Sequence, residues 1–96
     1  MNVTLNERGF HEIVLCESTE YEDFYSFTSK LKNILKIEYQ DKIDDFDTLY
    51  WVFYLDEHSF VVSYNIFQGI SVYPSSTIHE TNVEIEILEK IARALQ

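Results

Sequence analysis

The chain has 96 residues, a hydrophobic share of 46%, two glycines and one proline; this suits one packed core and excludes a disordered tail or linker. A formal charge of −10, from 17 acids against 7 Lys and Arg, repels polyanions, so nucleic acid and anionic membrane are not expected partners and a cationic one is favoured. No apolar run approaches the length of a transmembrane helix and no basic-then-apolar leader is visible, so a cytoplasmic single domain over residues 1–96 is expected.

Val3 to Leu5 and Phe10 to Glu17 read as two extended segments joined by a turn at Arg8-Gly9, where glycine tolerates a positive φ. A helix follows: Thr19 and Glu22 have the spacing of a capping box, and Tyr21, Phe24, Phe27, Leu31, Ile34 and Leu35 recur at helical intervals. Residues 38–47 break both periodicities and concentrate acids, which predicts an exposed, mobile loop or an irregular strand entry. Thr48 to Leu55 is aromatic and β-branched throughout and reads as a strand. After a turn at 56–59, Phe60 to Phe67 returns, Gln68-Gly69 turns again, and Ile70 to Tyr73 ends before Pro74, which has no N–H for a ladder.

Thr77 with Glu80, or Thr81 with Glu84, offers a capping box for a second helix whose apolar stripe is Val83, Ile87, Leu88, Ile91 and Leu95. The predicted fold class is α+β. An antiparallel sheet of about five strands, in the chain order ββαβββα, carries both helices on one face.

The sequence offers little to catalysis. His11, His58 and His79 follow no metal-ligand spacing, and a calcium loop begun at Asp45 would put Leu49 at its fifth position and lacks the turn glycine at its sixth. There is no Gly-x-Ser-x-Gly elbow and no glycine-rich phosphate loop. Cys16, the sole cysteine, lies in an apolar run where a buried thiol is inert. A non-enzymatic protein without metal or cofactor is expected.

The positive signal is the block 44–74. Phe46, Tyr50, Trp51, Phe53, Tyr54, Phe60, Tyr64, Phe67 and Tyr73 are interleaved there with acids, and no Lys or Arg occurs between Lys42 and Lys90. Alternate strand residues share a face, so Tyr50, Val52 and Tyr54 oppose Leu49, Trp51, Phe53 and Leu55; one set can face the helices and the other is left for solvent or a partner. Asp44, Asp45, Asp47, Asp56 and Glu57 are the candidate acidic contacts, with Tyr50 and Tyr54 as aromatic anchors.

The short acidic α+β plan and the stretches DDFDTLYWVF, FVVSYN and GISVYP resemble the small immunity proteins of bacterial toxin–immunity systems, including those of contact-dependent growth inhibition. That resemblance implies a cytoplasmic protein that neutralises one cognate toxin, often by covering a basic nuclease active site. The alternative is a small acidic chaperone or a homodimeric regulatory module that pairs through its aromatic sheet face or an edge strand.

Overall fold

The structure is a computed structural model that describes residues 2–17, 20–45, 47–76 and 81–95. Its elements are β1 (Val3–Leu5), β2 (His11–Cys16), α1 (Tyr21–Leu35), β3 (Tyr39–Asp44), β4 (Thr48–Leu55), β5 (His58–Asn65), β6 (Gly69–Pro74) and α2 (Asn82–Ala94). The six strands form one sheet in the order β1-β2-β6-β5-β4-β3, with every neighbouring pair antiparallel. The α+β class and the antiparallel sheet agree with expectation, but the strand count is six where about five were predicted.

The added strand is β3, in the segment expected to be an exposed loop or an irregular strand entry. All its residues beyond Tyr39 are exposed, as befits an edge strand with one neighbour, so no alternation marks it in the sequence. What holds it is β4: Tyr39 packs edge-on against Trp51 and Phe53, Lys42 Nζ lies 4.3 Å from the Trp51 ring centroid, and Trp51 Nε1 donates to Asp44 Oδ1 at 3.1 Å. A register shift between Tyr39 and Asp41 and charges at Asp41, Lys42 and Asp44 blunt this edge against pairing with other chains.

Both helices cover one face of the sheet. Phe24 of α1 meets Trp51 and Tyr64 edge-on, while Ile87, Leu88 and Ile91 of α2 join the same buried cluster as Ile13, Phe53, Phe60, Val62, Ile70 and Val72. Tyr39 sits within this layer and donates its hydroxyl to the Thr28 carbonyl at 2.7 Å; burial pushes its pKa well above the usual tyrosine range.

The helix starts divide between expectation and correction. Thr81 caps α2 with a full capping box: its hydroxyl accepts from Glu84 N–H at 3.3 Å, and Glu84 Oε1 accepts from Thr81 N–H at 2.8 Å. The other proposed pair, Thr77 and Glu80, lies outside the described residues. In α1 the N-cap is Glu20, with no side-chain cap bond; Thr19 lies outside the described residues.

The apolar stripes are narrower than periodicity suggested, since Tyr21, Ile34 and Val83 are exposed while Thr28 and Glu84 are buried. Cys16, expected to be enclosed, is half-buried. Two turns depend on left-handed backbone: Asp56 and Glu57 have φ of 52° and 69° in the two-residue link between β4 and β5, the geometry that matches strand twist but taxes non-glycine residues. Gly69 has φ of 87°, and a Cβ there would overlap the Cys16 carbonyl oxygen.

Candidate functional site

The face of the sheet away from the helices has no covering layer among the described residues. Register fixes its membership. One row runs Ile43, Tyr50, Ser63, Ser71, Val14, and the next runs Asp41, Val52, Val61, Tyr73, with Glu12 and Thr4 opposite each other on β2 and β1. Tyr54 and Ser59 stand opposite each other beyond these rows. Tyr50 is 37% exposed and Tyr54 55%, whereas Phe53 between them is fully buried. The expected division of β4 into two opposed sets is therefore present, and the set that faces outward is the one holding Tyr50 and Tyr54.

The seven candidate contact residues do not form one patch. Tyr50 and Tyr54 share the open face. Asp44, Asp45 and Asp47 lie at or just beyond one end of β4 and Asp56 and Glu57 at the other, roughly 25–30 Å away at the rise of a strand. Asp44 is drawn to the covered side by its bond from Trp51 Nε1, and Asp56 Oδ2 pairs with Lys90 Nζ of α2 at 3.3 Å. Asp47 accepts the Thr48 hydroxyl at 3.0 Å. The acids bracket the tyrosine row at its two ends.

Asp41 and Glu12 are carboxylates of the open face that were not among the candidate contact residues. Strand alternation from Tyr50 across the register would have found Asp41 only if residues 39–44 had been read as a strand. Glu12 requires knowing that β2 lies next to β6, a pairing between segments more than fifty residues apart in the chain.

The bases are distributed differently from the acids. Lys30 and Lys32 are on α1, Lys36 caps its C-terminus, and Lys90 and Arg93 are on α2. Lys42 is held against Trp51 on the covered side. Arg8 alone of the seven reaches the open face, from the β1–β2 turn, with its guanidinium 5.4 Å from the Phe10 ring centroid. The Phe10 ring in turn lies 5.5 Å from that of Tyr73.

Small side chains in the middle of this face create relief. Ser63 and Ser71 are opposite each other on β5 and β6, so the surface dips between the taller Tyr50, Tyr73, Gln68 and Arg8. A depression of about 160 Å³ there adjoins a second of about 320 Å³ beneath the β1–β2 turn, and Arg8, Glu12, Gln68 and Ser71 line both. Burial raises the pKa of Tyr73 above the usual tyrosine value, with Tyr50 and Glu12 pushing the same way, while a hydrogen bond with Ser63 and the charge of Arg8 pull it down. Tyr73 thus stays a neutral hydroxyl at physiological pH.

No group of three or more His, Cys, Asp and Glu side chains among the described residues is arranged to hold a metal ion. His58 lies on the covered side, 3.8 Å from Glu84, and His79 lies outside the described residues. Among the described residues no helix is long and apolar enough to cross a membrane. Comparison with protein-family models, curated proteins and solved structures found no match to this chain.

Proposed function

We propose that this chain is a non-catalytic protein-binding domain that docks a cationic protein on the open face of its sheet, and that it neutralises that protein in the manner of an immunity protein. One observation carries the reading: six of the seven bases are placed in the helical layer or held on the covered side, leaving an exposed tyrosine row bordered by carboxylates and approached by Arg8 alone. Tyrosines supply ring area for burial with hydroxyls that remain satisfied in water, which suits a surface that must be soluble when free. The surrounding acids accelerate encounter with a basic partner and repel nucleic acid from the same surface.

Pairing of two copies through this face is disfavoured, because it would bring Asp41 and Glu12 against their own kind. A basic toxin domain has the complementary charge.

The direct test is a titration of the ¹⁵N-labelled chain with a short peptide of alternating Lys and Arg, at low and at raised salt. Amide shifts are expected at Tyr50, Tyr54, Val61, Ser71 and Tyr73, shrinking as salt screens the attraction. Shifts confined to α1 and α2, or none, would sink the reading. For the immunity role, expression of the chain should restore growth of cells carrying a toxin domain encoded beside its gene, and Tyr50→Asp with Tyr54→Asp should abolish that rescue.

A further inference from the structure

A depression between α1 and the β3 edge lies on the covered side of the sheet, away from the docking surface, and two local devices build it. On α1, Tyr25, Thr28, Ser29 and Lys32 have the spacing that aligns side chains on one helical face, and all four line it. On β3, Tyr39 and Lys42 are three residues apart and in a regular strand would point to opposite sides. The register shift between Tyr39 and Asp41 sets Tyr39 opposite Phe53 and Lys42 opposite Trp51. Both therefore turn to the covered side and line the same depression.

Its lining runs against the charge of the chain. Formal net charge is −10, yet two lysines and no carboxylate line this depression. Lys42 Nζ rests 4.3 Å from the Trp51 ring centroid, a contact that holds the ammonium in place without cancelling its charge. Among the described residues no carboxylate forms an ion pair with it. Lys32 pairs with Glu38 at 3.2 Å, but the two side chains are 50% and 74% exposed, so water screens the bridge and an incoming anion can displace it. Asp44, the other acid nearby, accepts from Trp51 Nε1. Glu38 and Asp44 border the depression without lining it, and their repulsion restricts the ligand to a single negative charge.

The walls are aromatic and held in place. The Tyr25 and Tyr39 ring centroids lie 5.8 and 5.1 Å from that of Trp51, and the Tyr39 hydroxyl ties β3 to the Thr28 carbonyl of α1. Tyr25 is exposed, so its ring is open to a ligand. At about 240 Å³ the space falls below the roughly 300–1,000 Å³ of sites for drug-sized molecules, which limits the occupant to one ring. We infer that this depression binds a single-ring aromatic carboxylate, its ring against Tyr25 and Trp51 and its carboxylate received by Lys32 and Lys42. Benzoate is the simplest member of that class.

The experiment titrates the full ¹⁵N-labelled chain with benzoate, acetate, benzamide and benzylammonium in turn. It is read at the indole N–H of Trp51, the sole tryptophan, and at the amides of residues 25–32 and 39–42. Benzoate is expected to saturate these shifts with a Kd on the order of 1 mM, as suits so few atoms in an open site. Acetate, which lacks the ring, and benzamide, which lacks the charge, should each bind about tenfold more weakly, and benzylammonium more weakly still. Lys32→Gln and Lys42→Gln should each weaken benzoate about tenfold, whereas Glu38→Gln, by releasing Lys32, should tighten it about twofold to threefold. A native amide spectrum of each variant separates lost binding from lost folding. Absence of saturable shifts with benzoate, equal affinity for acetate or benzylammonium, or a Glu38→Gln chain that binds no tighter would overturn the inference. The docking reading is tested on the opposite face of the sheet, so either can fail alone.

Discussion

Phe53 and Tyr54 are adjacent in β4, both aromatic, and they live in different environments. Phe53 is enclosed, stacked on Phe60 with ring centroids 5.7 Å apart, while Tyr54 is more than half exposed on the other side. The same contrast runs through β5 and β6, where Phe60, Val62, Ile70 and Val72 are buried and Ser59, Ser63, Ser71 and Tyr73 are only partly covered. One face of the sheet thus concentrates the burial that stabilises the fold. The other combines small hydroxyls, tyrosines and carboxylates, a composition suited to reversible contact with something else. Stability and recognition are separated by the two-residue period of a strand.

This contrast can be broken or sharpened by substitution. The largest loss is expected from Phe53→Ala, which removes a fully buried ring and should cost about 3–5 kcal/mol in chemical denaturation; a cost below about 1 kcal/mol would mean that the covered face is not the stabilising one. Gly69→Ala comes next, at about 2 kcal/mol or more, because a Cβ at φ of 87° meets the carbonyl of Cys16 on the neighbouring strand. Denaturation midpoints should fall without a change in slope.

At the turn between β4 and β5, Glu57→Gly should raise stability by about 1 kcal/mol, since glycine adopts the left-handed backbone there without steric cost. An unchanged thermal midpoint would show that the turn stores no such strain. The smallest effect belongs to Tyr54→Ala, expected to lie within about 0.5 kcal/mol of the parent in stability. The same variant should lose affinity for the basic peptide, and it is this dissociation of binding from stability that distinguishes the open face from the covered one.

Much of the architecture was legible in order. β4 was bounded correctly at Thr48 and Leu55 because aromatic and β-branched residues fill it without interruption, and Thr81 with Glu84 announced the start of α2 through a local motif. β3 was not counted as a strand because its exposed residues show no strand alternation and, apart from Ile43, no apolar side chain, and its pairing energy comes from β4 rather than from itself. The candidate contact residues are placed unevenly. Alternation grouped Tyr50 with Tyr54 on one face of β4 without deciding which face is open, whereas the acids were gathered by proximity in sequence and sit at opposite ends of that strand.

The sequence by itself determined the local elements, the two sides of β4 and the sign of the charge, because these depend on periodicity, capping and composition within short stretches. Only the tertiary structure decided which carboxylates share a surface, that every base but Arg8 is withdrawn from the open face, and that Glu7, Arg8 and Glu12 line one depression. Those relations arise from the pairing of β2 with β6 and of β3 with β4, and the first joins segments remote in the chain that no local pattern specifies.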